Sequence, residues 1–219
     1  MSNNKDFVFN KENWEIHLKN ILSFKFDARK AHLEFAPYRN IDLIPDDNFI
    51  QSAVGIHIYF EAEPKIILIE RPLKMRKHAG QIAFPGGKKD PEDKTLIETA
   101  LRESKEEIGL YANENHFIGK LSKVYIPVTN FMVHAYVFAH KIKPELTPNP
   151  DEVNEVLDLD LSLLTNDSTK SQTDIVLSNG LKIKNSPCFK IKDKIIWGAT
   201  GVILNELKWR IMEFHQRAV

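Results

Sequence analysis

The sequence predicts one α/β or α+β domain, built on a hairpin-rich sheet and preceded by a helical extension. Three observations carry that expectation. Segments with helical spacing alternate with short runs rich in Val, Ile, Tyr and Phe. The chain has 219 residues, between one and two domains at about 150 residues each. Its 42% hydrophobic and 27% charged residues are an ordinary globular balance, which excludes disorder as the dominant state.

Along the chain, Asn10 is the expected cap of a first helix. Trp14, Leu18, Ile21 and Leu22 follow at the i, i+4, i+7, i+8 spacing of one apolar face. This extension is expected over residues 1–45, with the main domain over 46–219. Ala53 to Glu61 and Lys65 to Arg71 read as strands joined by a hairpin through Glu63-Pro64. Pro85-Gly86-Gly87 reads as a chain break. Thr95 to Ile108 is helical in pattern, and Gly109 is its stop. Strand-like runs recur at Phe117 to Val128 and Phe131 to Ala139. Val153 to Leu164 reads as a short strand followed by a helical turn. Asn179-Gly180 marks a hairpin, Ile195 to Trp197 a last strand, and Ala199 to Gln216 a closing helix.

Composition excludes several function classes. Thirty basic and thirty acidic side chains cancel, whereas nucleic-acid binding usually needs a basic excess. The single Cys188 cannot form an internal disulfide, which fits a reducing compartment. No apolar run approaches the roughly 20 residues of a membrane helix, so a cytoplasmic protein is expected. Trp14, Trp197 and Trp209 read as packing residues, Trp197 in the core. Phe35 and Tyr38 are open between covering an adenine and lining a homodimer contact.

The cancelled total hides a local asymmetry. Arg71 to Lys89 carries six Lys or Arg and no carboxylate, whereas Asp90 to Glu107 carries seven carboxylates. A basic arm beside an acidic helix suits a metal-assisted site for a phosphorylated substrate. Arginine forks grip phosphate oxygens, and carboxylates hold Mg²⁺ or Mn²⁺. Glu103 and Glu107 share a helical face, and Glu106 borders it. Like charges at that spacing cost about 0.2–0.5 kcal/mol per pair, which a divalent cation would remove. The alternative for the helix is a solvated acidic face.

Arg102-Glu103-Ser104-Lys105-Glu106-Glu107-Ile108-Gly109-Leu110, with Gly86-Gly87 upstream, resembles the Nudix box. It departs from the usual box in a one-residue-longer lead, in lacking the mid-box Glu, and in Ser104, where a small or aliphatic residue is usual. Residues 71–87 read R-P-L-K-M-R-K-H-A-G-Q-I-A-F-P-G-G. This is similar to the R-x4-R-x3-G-x3-F-P-G-G signature of the coenzyme A pyrophosphatase branch. The Asn149-Pro150-Asp151-Glu152-Val153 segment resembles the same branch.

The resemblance implies a Nudix-type α/β/α sandwich with a mixed central sheet. It implies hydrolysis of coenzyme A or a derivative to 3′,5′-ADP and 4′-phosphopantetheine. Glu103, Glu106, Glu107 and the Gly86 carbonyl would hold Mg²⁺ or Mn²⁺, with Glu103 also a candidate base. Glu152 is a further candidate for base or ligand. Arg102 would orient carboxylates through Asp93 or Glu98. Arg71, Arg76 and Gln81 would meet the substrate, and His78 is open between a phosphate contact, an adenine contact and a structural role. Two competing readings are hydrolysis of another nucleoside diphosphate derivative, such as an ADP-sugar or dinucleotide, and nucleotide sensing without cleavage. Intact Glu103, Glu106 and Glu107 argue against the second.

Overall fold

The computed structural model describes residues 9–37, 48–75, 78–177, 180 and 182–217. Two helices open it, α1 (Trp14–Ser23) and α2 (Arg29–Phe35). A mixed eight-stranded sheet follows. Its strands are β1 (Ile50–Phe60), β2 (Pro64–Glu70), β3 (Ile82–Ala83), β4 (Gly86–Lys88), β5 (Phe117–Lys120), β6 (Val124–Ile126), β7 (Phe131–His140) and β8 (Glu155–Asp160). Helix α3 (Leu96–Ile108) lies between β4 and β5 in the chain, and the short α4 (Leu161–Thr165) follows β8. A second sheet of β9 (Lys170–Val176), β10 (Lys182–Ile191) and β11 (Lys194–Trp197) precedes α5 (Gly198–Arg217).

The centre of the main sheet is β1, which runs parallel to β7 from the Ile50–Phe131 pair to the Tyr59–His140 pair. Its other side is shared: Ile58 to Phe60 pair with β2, and Ser52 to Val54 pair with β4, both antiparallel. Both faces are covered, as the near-continuous apolar runs require. Ile56, Ile58, Ile66, Leu68, Ala135 and Val137 share one core with Trp14, Leu18 and Ile21 of α1, Phe35 of α2 and Leu204 and Leu207 of α5. Tyr59, Ile67 and Ile69 face Ile108 and Leu110 on the opposite side. Ala53 and Phe138 meet Ala100 there too. The result is an α/β/α sandwich of α+β class, with α3 on one face of the sheet and α1, α2 and α5 on the other.

Several local expectations are corrected. Asn10 does not cap α1; its Oδ1 accepts from Glu12 N at 3.0 Å, one turn before the helix, and Asn13 is the N-cap residue. Pro85-Gly86-Gly87 does not break the sheet, because Gly86 and Gly87 pair with Val54 and Ala53. The run from Phe117 divides into β5 and β6, because the Ser122 backbone N–H and hydroxyl donate to Glu206 instead of to a strand. Trp197 is half-buried in β11 rather than in the core. Phe35 is buried and stacked on Phe189 at 4.6 Å, so it is not available to cover a ligand. Tyr38 and Asn179 lie outside the described residues; Gly180 takes φ 82° between β9 and β10.

Candidate functional site

Helix α3 is cut to length by its own ends. Thr95 Oγ1 accepts from Glu98 N at 3.1 Å, and the Glu98 carboxylate accepts from Lys94 N at 2.6 Å. At the other end Gly109 adopts φ 64° and donates to Lys105 O at 3.0 Å. Between them the helix turns Ala100, Ser104 and Ile108 onto the sheet and brings Glu103 and Glu107 to its β4 edge.

That edge is made of the two glycines. Gly86 N–H donates to Glu107 Oε2 at 2.9 Å. A Cβ on Gly87 would stand 2.4 Å from Glu103 Oε1, so the carboxylate occupies the space a side chain would need. Glu107 is 2% exposed. Burial pushes its carboxyl up to about 8, with Glu103 and Glu152 adding to the rise and the Gly86 N–H and Arg71 opposing it. Glu103 is also raised, again chiefly by burial, with Arg102 opposing and Glu106 and Glu152 adding.

Arg102 organises the carboxylates. Its guanidinium is bidentate on Asp93, through Nε at 3.1 Å and Nη2 at 3.0 Å. Nη1 spans Glu103 Oε1 and Glu106 Oε2, both at 2.9 Å, and Nη2 also reaches Lys88 O at 3.1 Å. Asp93 is therefore its partner, and Glu98 is not, because Glu98 is spent on the helix cap. These contacts hold Asp93 down at about 2.

Residues from outside the box arrive on two loops. Arg71 Nη1 lies 3.5 Å from Glu107 Oε1, and its buried Nε has no hydrogen-bond partner among the described residues. Glu152 sits in a loop tied to α3 by Asn149 N donating to Glu107 O at 2.8 Å, and Asn149 Nδ2 donates to Glu152 Oε1 at 3.0 Å. Lys74 and Asp151 join the two loops at 2.9 Å. His78 and Gln81 pair with each other, Nδ1 to Oε1 at 2.8 Å, on the loop that closes β2 onto β3. Arg76 lies outside the described residues.

Among the described residues, no three His, Cys, Asp or Glu side chains already surround one point as metal ligands. Arg102 stands between Glu103 and Glu106, and the Gly86 N–H holds Glu107. The donor chemistry nevertheless fits Mg²⁺ or Mn²⁺. The donors are oxygens, and two of them belong to the carboxylates of Glu103 and Glu107, whose charged forms burial disfavours and a divalent cation would stabilise.

A NUDIX domain family model matches residues 50–173, more than half of the chain. The chain belongs to the Nudix family. The Nudix hydrolase NudL of Yersinia enterocolitica, itself named as uncharacterised, is 51% identical over 75 residues. That alignment spans 34% of this chain and 38% of the relative. The Yersinia pestis protein of the same name is 51% identical over 72 residues, 33% of this chain and 36% of its own. A MutT/nudix family protein of Enterococcus faecalis superposes with TM-score 0.54 at 15% identity, over 87% of this chain and 76% of that one. A NUDIX hydrolase of Nitrosomonas europaea gives 0.51 at 18%, over 78% and 74%. At those identities the two structures establish the Nudix fold. Among the described residues no helix is long and apolar enough to cross a membrane.

Sequence reasoning missed Ser104's partner, His57, and the tie from Asn149 to Glu107. His57 carries no motif, and its place opposite Ser104 depends on the β1 register against α3. The proline-rich approach to Asn149 was visible, but its docking on the end of α3 was not.

Proposed function

We propose that this chain is a metal-dependent pyrophosphohydrolase that cleaves coenzyme A or a derivative to 3′,5′-ADP and 4′-phosphopantetheine. The observation that carries the hydrolase reading is the meeting of the two oppositely charged sequence segments, with Arg71 of the basic arm against the buried Glu107 of the acidic helix. The choice of coenzyme A rests on the signature formed by Arg71, Arg76, Gly80 and Phe84 to Gly87. Residues 46–219 are the proposed catalytic unit, and a cytoplasmic location is part of the same proposal.

Glu103, Glu106, Glu107 and the Gly86 carbonyl would hold Mg²⁺ or Mn²⁺. The bound ion would polarise phosphoryl oxygens and lower the pKa of a water. Arg102 holds Glu103 and Glu106 in register and favours the ionised form of Glu103. Arg71 presents donors to a phosphate from beside Glu107. Glu152, outside the helix but in the field of Glu103 and Glu107, would serve as base toward the attacking water or as a further metal ligand, and Glu103 is the other candidate base.

The test is incubation of the full chain with coenzyme A and Mg²⁺ or Mn²⁺, resolved by chromatography, with a chelator control. The expected result is 3′,5′-ADP and 4′-phosphopantetheine only when metal is present. Cleavage of an ADP-sugar or dinucleotide but not coenzyme A would keep the chemistry and replace the substrate. Glu107→Gln and Glu106→Gln should each remove most turnover while the far-ultraviolet circular dichroism stays unchanged. Near-wild-type turnover in either variant would remove that residue from the site.

A further inference from the structure

A buried polar chain joins the carboxylate helix to the middle of the sheet. Ser104 follows Glu103 on α3 and is fully buried. Its Oγ is 2.7 Å from Ala100 O and 2.7 Å from His57 Nε2. A carbonyl can only accept, so the hydroxyl donates to Ala100 and accepts from His57. The His57 proton is therefore on Nε2. Its Nδ1, left as acceptor, lies 3.0 Å from His140 Nε2, which donates. Each ring has one tautomer, and the chain has one direction, from His140 on β7 through His57 on β1 to α3.

The surroundings keep this chain in place and neutral. The His57 ring stacks on Phe138 at 5.0 Å and 18°. Burial, then the neighbouring His140 and His116, hold His57 well below the usual imidazole range. Gly55 provides the room, since a Cβ there would stand 2.6 Å from His57 Nε2 and 2.9 Å from Ser104 Oγ. Ser104 is a polar residue on the helix face that Ala100 and Ile108 also turn onto the sheet. An apolar contact is non-directional and tolerates rotation of the helix, whereas a 2.7 Å hydrogen bond does not. Rotation matters here, because the places of Glu107 Oε2 on the Gly86 N–H at 2.9 Å and of Glu103 against Gly87 both follow from how α3 is turned toward β4.

We propose that Ser104, His57 and His140 are positioning residues whose hydrogen-bonded chain sets the rotation of α3 and so holds Glu103 and Glu107 ready for a divalent cation. This rests on the metal-dependent reading above. The test measures Mn²⁺ binding to the full chain by calorimetry or electron paramagnetic resonance, with the thermal midpoint recorded for each variant.

Ser104→Ala and His57→Leu should each weaken Mn²⁺ by about tenfold or more, the usual cost of losing a group that orients ligands from behind. Ser104→Thr, which keeps the hydroxyl, should restore wild-type binding. Gly55→Ala keeps all three polar side chains but crowds them apart, so it should weaken Mn²⁺ as well. It also serves as the readout if Ser104→Ala does not fold. A lowered thermal midpoint with unchanged Mn²⁺ affinity would make the chain mere adhesive and overturn the proposal. A wild-type chain that binds no Mn²⁺ would overturn this proposal and the hydrolase reading together. A wild type that binds Mn²⁺ but releases no products would overturn only the hydrolase reading.

Discussion

Gly86 and Gly87 are neighbours with different obligations. A Cβ at Gly86 would stand 2.4 Å from Ala53 O and 2.7 Å from Val54 Cα, both backbone atoms of the central strand that cannot move aside. At Gly87 the obstacle is the end of the flexible Glu103 side chain. Gly87→Ala should therefore leave the fold nearly intact and displace Glu103, lowering turnover at least as strongly as any loss of stability. Gly86→Ala should lower the thermal midpoint itself, by forcing β4 off β1. Thermal melts and turnover on both variants check the contrast; equal stability losses would show that Glu103 is not free to yield.

Helix α3 depends on its ends as much as on its charged face. Thr95→Ala removes the acceptor for Glu98 N and should cost about 1 kcal/mol, the usual worth of an N-cap. Turnover per folded molecule should persist, since Thr95 touches none of Glu103, Glu106 or Glu107. Denaturant midpoints measure the first effect and initial rates the second. Asp93, held at about 2 by Arg102, the Asp90 N–H and Thr99, gives α3 an acid dependence of defined sign. Its native value lies below its unfolded 3.8, so its contribution is complete above that value and is lost as pH falls toward 2. Asp93→Asn should flatten that part of the stability curve.

The whole molecule is tied through charges and imidazoles buried outside the candidate site. Glu206 of α5 is fully buried and accepts from Ser122 N at 3.0 Å, Ser122 Oγ at 3.0 Å and Arg210 Nε at 2.9 Å, and it pairs with His32 of α2 at 2.8 Å. Glu206→Ala leaves Arg210 buried without its counter-charge and should cost about 3–5 kcal/mol in a denaturant titration. His17, His57, His134, His140 and His215 are all held below the ordinary 6.5, with His140 at about 4. The unfolded chain takes up protons near 6.5 that the native chain refuses. The buried His57 and His140 should thus pull stability down as pH drops below about 6.5, against an opposite contribution from Glu107, whose raised carboxyl takes up its proton in the native chain first. Urea midpoints between about pH 8 and about pH 5 on a Glu107→Gln background, which removes the opposing carboxyl, measure the imidazole part; an unchanged profile in His57→Leu on that background would contradict it.

Local chemistry was enough for α3 and its Gly109 stop, the β1 and β2 strands and the pairing of a basic arm with an acidic helix, while the sandwich class came with the resemblance to the Nudix box. Periodicity, capping and charge spacing act over a few residues, so they can be read without knowing what lies across the core. Only the tertiary structure decided that Arg102 takes Asp93 rather than Glu98, because two local partners compete and the helix cap claims one. It placed Glu152 in the field of Glu103 and Glu107, made a strand of Gly86 and Gly87, and put Phe35 on Phe189. It also set His57 against Ser104, 47 residues apart in the chain. Contacts of that separation depend on sheet register and on what else is buried nearby, and no short stretch of sequence carries that information.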